Sequence, residues 1–244
     1  MSQPALNPPP VLPGDVLLHM GDGEISKLIA WASNSLYSHS ALVLDAETVI
    51  EAAGSGVRTT ALAQRLANSK EFSLIDSYRF GGAKGGLITA QLSALQTQAK
   101  SFLGDAYPLD ELFELGVVCA LRSKLDWPEP LKWLLRIALD HVVHTDPTKI
   151  VCSEFIYRSY AEAPTNPAGA LRPTIEVVEA PQRPFPDISW LGLLKEYEEA
   201  RHAAPRLPPA PTAAPALRSL ATQTVVAPDI AAQAEHIRQR RSAT

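Results

Sequence analysis

The stretch Tyr37-Ser38-His39-Ser40-Ala41-Leu42-Val43-Leu44-Asp45-Ala46-Glu47-Thr48-Val49-Ile50-Glu51-Ala52-Ala53 decides the reading of the fold. Two apolar runs, 38–44 and 48–53, flank the polar triplet Asp45-Ala46-Glu47, which is the pattern of a β-hairpin. A three-residue turn makes Leu44 face Thr48 and Ala41 face Glu51. Strand alternation then places His39, Ala41 and Val43 on one face, together with Val49, Glu51 and Ala53. Glu51 becomes the diagonal cross-strand neighbour of His39, within side-chain reach. A carboxylate on one imidazole nitrogen fixes the tautomer and leaves the other nitrogen for a reacting group. The pairing depends on register, because a slip of one residue sends Glu51 to the opposite face. Taken alone, His39 reads rather as a satisfied strand-end histidine and Glu51 as a solvated edge carboxylate; a nucleophilic cysteine elsewhere in the chain reverses that balance.

Upstream of the hairpin, residues 1–12 are a Pro-rich extended lead. Pro13-Gly14-Asp15 is a turn, followed by a short strand at 16–18 and a helix over 25–34. Downstream, Gly54-Ser55-Gly56 breaks the strand, a further strand covers 57–59, a helix 61–67 and a strand 72–79. After the glycines of 81–86 the pattern turns helical: 87–103, 109–125, 129–144, 151–161 and 188–200. Pro164, Pro167 and Pro173 mark a loop. The fold class is therefore α+β, a small antiparallel sheet against helices. A domain spans 13–200, with a helical insertion at about 109–146. Residues 201–244 are Ala/Pro-rich and read as a disordered tail, with a weak amphipathic helix near 230–240.

The sequence holds two cysteines, too few for a disulfide framework, and no CxxC pair that would suggest a cysteine zinc site. Cys119 lies in the apolar run Leu115-Gly116-Val117-Val118-Cys119-Ala120-Leu121 and reads as a small core residue. Cys152 differs. In Ile150-Val151-Cys152-Ser153-Glu154-Phe155-Ile156, followed by Ser159 and Tyr160, the apolar spacing starts a helix at the cysteine and turns it inward. A thiol at a helix N-terminus meets the positive end of the helix dipole, which favours the thiolate. The free N–H groups of that first turn can hold a developing oxyanion.

A nucleophilic cysteine needs a base. His202 and His236 lie in or near the tail, and His19 reads as a polar strand end. His141 and His144 share a helix face, but no further ligand completes a metal site. That leaves His39. Asp15 is a candidate supporting residue, though a turn aspartate reads the same way. Tyr37 and Ser153 are candidates for substrate contact, and Tyr37 reads equally as structural. No metal and no cofactor are called for.

Composition narrows the partners. Hydrophobic residues make up 46% of the chain, enough to fill a core. With a net charge of -4 and no dense basic block before the tail, nucleic acid is not expected as a partner. No apolar run is long enough to cross a bilayer, and the first residues lack the basic start and apolar core of a secretory signal. The expectation is a chain made in the cytoplasm, with any export by a non-classical route. Its oligomeric state is left open.

Together, Pro13-Gly14-Asp15-Val16-Leu17-Leu18, Tyr37 to Leu44, Val49-Ile50-Glu51-Ala52 with Gly56-Val57-Arg58, and Val151-Cys152-Ser153-Glu154-Phe155 resemble a family. They look like the circularly permuted papain-like branch of the NlpC-type cysteine peptidases. That branch includes the YiiX and YebB-like proteins and has the lecithin retinol acyltransferase-like proteins as relatives. Gly104-Asp105-Ala106-Tyr107 is similar to the Gly-x-x-Tyr stretch that precedes the cysteine segment there. The resemblance covers about residues 13–162; the long helical segment before the cysteine departs from it, and no oxyanion partner is evident.

The resemblance implies a permuted papain-like fold with Cys152 as nucleophile, His39 as base and Glu51 as the orienting residue. It further implies a cysteine peptidase or amidase acting on a peptide or peptidoglycan fragment of the bacterial cell wall. Without a signal peptide, such an enzyme would suit a phage or a machine that injects folded toxins. Two alternatives stand beside it. One is an acyltransferase or thioesterase on lipids, for which Leu131, Trp133, Leu134, Leu135 and Ile137 would line an apolar channel. The other is a catalytically silent binding module.

Overall fold

Burial along the central strands is continuous rather than alternating, which requires cover on both faces of the sheet. The computed structural model describes residues 10–67, 71–81, 85–110, 113, 149–174, 181, 183–203 and 236–239. Among these the elements run β1 (Val16–Gly21), α1 (Glu24–Ala32), β2 (His39–Val43), β3 (Thr48–Ala53), β4 (Gly56–Ala61), α2 (Leu62–Ala67), β5 (Phe72–Tyr78) and α3 (Thr89–Lys100). Then come α4 (Cys152–Ala161), α5 (Trp190–Ala203) and β6 (His236–Gln239). The sheet is antiparallel throughout, in the order β4-β3-β2-β1-β5-β6. The class is α+β, as expected.

One face of the sheet carries Val16, Leu18, Leu42, Ile50 and Ala52, packed against Leu95 and Ala99 of α3 and Phe155, Ile156 and Tyr160 of α4. The other carries Leu17, Ala41, Val43 and Val49, packed against Leu62 of α2 and Phe72 and Ile75 of β5. Each fully buried Leu, Ile or Phe here contributes roughly 1.5–3 kcal/mol relative to an exposed side chain. In α4 the residues Phe155, Ile156, Ser159 and Tyr160 are all buried, the i, i+1, i+4, i+5 stripe that holds the helix to the sheet.

The β2–β3 register is Ala41↔Glu51, Leu42↔Ile50 and Val43↔Val49, with the Leu44 N–H bonded to the Thr48 carbonyl at 2.9 Å. This is the register that the three-residue turn requires. β1 runs further than the sequence pattern suggests, to Gly21, because β5 supplies a partner as far as Phe72.

Backbone contacts link the cysteine segment, through residues 104–106, to the start of β4. Gly56, at φ +93°, has space for a Cβ only 2.7 Å from the Asp105 carbonyl oxygen, so a side chain there would collide with backbone. Next to it, the Val57 N–H donates to the Asp105 carbonyl at 2.9 Å and the Gly104 N–H to the Val57 carbonyl at 3.0 Å. Ala106 then bridges in parallel to Lys149, and the Ile150 N–H donates to the Ala106 carbonyl at 2.9 Å. The chain entering Cys152 thus hangs from the start of β4.

At the C-terminal side, Glu196 of α5 caps α1, accepting the Glu24 N–H at 2.8 Å and the Ile25 N–H at 3.0 Å. Residues 236–239 are an edge strand on β5 rather than part of a helix near 230–240 in a disordered tail. The open edge of β5 offers a row of backbone donors and acceptors that a polar segment can pair with. The helices expected over 109–125 and 129–144, with Cys119, His141 and His144, lie outside the described residues apart from Leu109, Asp110 and Phe113. No helix among the described residues is long and apolar enough to cross a membrane.

Candidate active site

β2 begins with His39, β3 carries Glu51 at its fourth position, and α4 begins with Cys152. The tertiary structure brings the three together. His39 Nε2 lies 2.8 Å from Glu51 Oε2. That occupies one imidazole nitrogen and leaves Nδ1 unengaged by the carboxylate, and the Cys152 thiol is near enough to act on the basicity of the ring. Cys152 is 8% exposed, Glu51 is fully buried, and the side chain of His39 is 17% exposed. The site is therefore sunk into the sheet end with a narrow opening at the imidazole.

The electrostatics favour a charged pair. Burial by itself would lower the His39 basicity, but the hydrogen bonds to Cys152 and Glu51 outweigh it and raise its pKa to about 9. Burial would push the Cys152 thiol up, yet His39 and then Ser40 outweigh that and hold it below its ordinary value. For Glu51 too, burial opposes the charge. The hydrogen bond and charge of His39, then Arg65 and Arg58, prevail and keep the carboxyl well below the usual range. A thiolate beside an imidazolium, backed by a carboxylate, is the state these contacts select.

Glu51 is held by more than the histidine. Its Oε1 accepts from the Arg65 guanidinium, from Thr60 Oγ1 at 3.1 Å and from Arg58 Nη2 at 3.4 Å. All of these contacts fall on Oε1, so Oε2 is reserved for the imidazole. Arg65, on α2, is 6% exposed and lies over the Phe72 ring at 5.0 Å. Sequence reasoning missed all three. Arg58 and Thr60 could have been found, since they share the face of Glu51 once Glu51 pairs with Arg58 across the β3–β4 hairpin. Arg65 has no such local signal, because it arrives on a separate helix.

His19 is paired with His39 across β1 and β2, the ring centroids 5.6 Å apart, and it packs on Phe72 at 4.8 Å. It is fully buried, and neither ring nitrogen makes a hydrogen bond of ordinary geometry among the described residues. Burial, then the charges of His39 and Arg65, push its pKa well below normal, so it is neutral. Tyr107 is near enough to feel the Cys152 charge. Its phenol is pushed up by burial and by the Cys152 charge, which keeps it a neutral hydroxyl.

The first turn of α4 has no side-chain cap, so its N–H groups face the region before the helix, where an oxyanion can sit. Ser153 follows the thiol in that turn and is partly exposed. Asp15 and Tyr37 are placed elsewhere. Asp15 is 1% exposed and bound by both oxygens to Arg79, at 2.9 and 2.8 Å, near the end of β1 remote from His19. Tyr37 is 8% exposed, its hydroxyl 2.5 Å from Asp76 Oδ2 and 2.8 Å from the Tyr78 hydroxyl. Both are consumed by internal contacts, which is the structural alternative stated for each. A hollow of about 430 Å³ lined by Ala161, Pro164, Thr165 and Arg172 lies at the opposite end of α4 from the thiol. No group of three or more His, Cys, Asp or Glu side chains among the described residues is arranged to hold a metal ion.

No family model matches the chain, and no curated protein matches it. Among solved structures it is similar to the crystal structure of the metalloprotein YiiX from Escherichia coli O157:H7. The TM-score is 0.43 and the identity 23%, over 63% of this chain and 66% of that one. The likeness thus spans just under two thirds of YiiX.

Proposed function

We propose that the chain is a cysteine hydrolase that cleaves an amide bond through an acyl-enzyme, with Cys152 as nucleophile, His39 as general base and acid, and Glu51 as the residue that orients His39. What carries this reading is one arrangement. The His39 imidazole is bound by Glu51 at 2.8 Å, and the Cys152 thiol, at the start of α4, is near enough to raise the basicity of the ring. The order of His strand before Cys helix agrees with the permuted papain-like scheme, and that fold belongs to this proposal.

In the reaction the Cys152 sulfur attacks the carbonyl carbon and the oxygen becomes an oxyanion held by the first-turn N–H groups of α4. Collapse breaks the C–N bond as His39 gives its proton to the leaving amine. Water, deprotonated by His39, then attacks the thioester, and the acid leaves with the thiolate restored. Glu51 keeps Nε2 engaged throughout, so the proton moves at Nδ1. The substrate class proposed is a peptide of the bacterial cell wall, as the family resemblance implies. The apolar run 131–137 on which lipid chemistry would rest lies outside the described residues, and no described feature favours that reading.

The test pairs chemistry with labelling. Wild type and Cys152→Ala are incubated with purified peptidoglycan and new amines are counted; the wild type releases them and the variant does not. A peptide-bond-mimicking electrophile followed by peptide mass spectrometry should mark Cys152. Marking of Cys119 alone, or equal amine release by the variant, overturns the assignment.

A further inference from the structure

His39 is the first residue of β2, and the β2–β3 ladder stops at Ala41↔Glu51. The base therefore has a cross-strand partner on one side only, and that partner is His19 of β1. Glu51 holds Nε2, but one hydrogen bond at one atom does not fix the plane of an imidazole, because the torsion that turns the ring is broad. A second contact has to set that plane. The His19 ring supplies it. Its centroid lies 5.6 Å from that of His39 with the planes tilted by 40°, inside the range of aromatic pairing.

His19 is itself held. Phe72 of β5 packs on it at 4.8 Å, the Arg65 guanidinium of α2 lies 5.0 Å from the Phe72 centroid, and the same guanidinium binds Glu51. Five side chains from five elements thus close a circuit, from Glu51 to His39, His19, Phe72, Arg65 and back to Glu51. Yet an imidazole is a costly packing piece. His19 is fully buried, and neither nitrogen has a hydrogen-bond partner of ordinary geometry among the described residues. Leucine would fill the space without that cost. What leucine lacks is a flat face, and imidazole is the smallest aromatic ring that offers one. With no exposed surface, His19 meets no substrate and is not a second base.

We propose that His19 is a positioning residue: its ring, backed by Phe72, fixes the plane of the His39 imidazole, so that one nitrogen stays on Glu51 while the other stays open for proton transfer. The inference rests on the reading of His39 as the base. During turnover His39 gives up and regains a proton, and its bond to Glu51 weakens whenever the ring is neutral. Packing against an uncharged ring does not change with that charge, so it holds the plane in both states.

The experiment follows the ring nitrogens of His39 by NMR as pH is raised, in the full chain of wild type, His19→Leu and His19→Phe. Amine release from purified peptidoglycan is measured on the same samples. The groups that act on His39 are Cys152 of α4 and Glu51 of β3, with Arg65 of α2 and Arg58 of β4 behind the carboxylate, and both variants keep all of them. The same Glu51 and Arg65, with His39, are the charged groups that act on His19. From a starting midpoint of about 9, His19→Leu should bring His39 down by about one pH unit as the Glu51 bond loosens. It should also slow maximal amine release about tenfold. His19→Phe keeps a flat ring, with some crowding, and should return the rate to within about threefold of wild type and most of the midpoint with it. The orientation of one ring and the stability of the sheet are separate quantities, so the leucine variant can gain stability while losing rate.

Urea curves confirm that each variant is folded, and His19→Met replaces the leucine variant if that one is not. A wild-type midpoint and rate in His19→Leu, or a His19→Phe profile shifted as far as that of His19→Leu, overturns the proposal. If the wild type shows the raised His39 midpoint yet releases no amines, the amidase reading falls alone, and the midpoints still decide the role of His19.

Discussion

Two buried carboxylates in one sheet, Asp15 and Glu51, each meet a buried arginine, and only one of them supports a site. Arg79 takes both oxygens of Asp15, Nε on Oδ1 at 2.9 Å and Nη2 on Oδ2 at 2.8 Å, and the Leu12 N–H adds a third bond at 2.7 Å. Arg79 also reaches the Pro10 carbonyl at 2.8 Å, so the pair ties the N-terminal lead to β1 and β5. At Glu51 the cations and the threonine crowd onto Oε1, and Oε2 is left to His39. A bidentate fork closes a carboxylate, whereas a one-oxygen grip holds it in place and leaves half of it for another task. The difference lies in the pairing: Arg79 sets two nitrogens on the two oxygens of Asp15, while Arg65, on α2, meets a single oxygen of Glu51.

The largest effect that would break this comparison is on turnover. Glu51→Gln should cut kcat/KM by about 10³- to 10⁴-fold, as loss of the third member of a triad does. Asp15→Asn should leave kcat/KM of the folded protein within about twofold. Equal losses, measured on the same substrate, would erase the distinction.

Stability should then rank the arginines. Removing one partner of a buried pair leaves a charge stranded, so Arg65→Met and Asp15→Ala should each cost roughly 3–5 kcal/mol in urea denaturation. Arg58, whose side chain is 51% exposed, makes a screened contact, and Arg58→Ala should cost less than about 1 kcal/mol. A large loss for Arg58→Ala would mean that the grip on Oε1 is shared rather than led by Arg65.

The pH dependence of stability sharpens the same point, with opposite signs for the two partners. Glu51 is lowered on folding, so its contribution is full above the ordinary carboxyl pKa of 4.5 and is lost as pH falls through the depressed folded value. His39 is raised on folding, so its contribution is full below 6.5 and is lost as pH rises toward about 9. Urea midpoints measured across pH should show both limbs in the wild type. Glu51→Gln should flatten the acid limb, and His39→Gln should remove the alkaline one.

A change of opposite sign is expected at His19, to which neither carboxylate is hydrogen-bonded. His19→Leu removes two buried nitrogens that lack good hydrogen bonds and should raise stability by about 1–2 kcal/mol in the same urea assay. A loss of stability instead would show that His39 or its neighbours depend on the second imidazole.

The hairpin from His39 to Ala53 was legible because its information is local. Alternation, a polar triplet and chain connectivity leave one register that buries both apolar runs, and that register delivers Glu51 to His39. The helix start at Cys152 was legible for the same reason, since its inward stripe repeats every three to four residues. Tyr37 and Asp15 were visible as polar residues beside apolar strands, yet their partners Asp76, Tyr78 and Arg79 all come from β5 and its end, which no pattern near either residue announces.

What the amino-acid order determined by itself is therefore the set of short-range devices: the hairpin and its register, the inward face of α4, and the choice of sulfur, imidazole and carboxylate as chemical parts. Only the packed molecule decided that α4 lies against β2 and β3 and that Arg65 grips a single oxygen of Glu51. The physical reason is range. Backbone sterics and side-chain periodicity act over a few residues, while the meeting of α4 with β2 is set by burial of two helix stripes and a sheet face that the chain joins only through space.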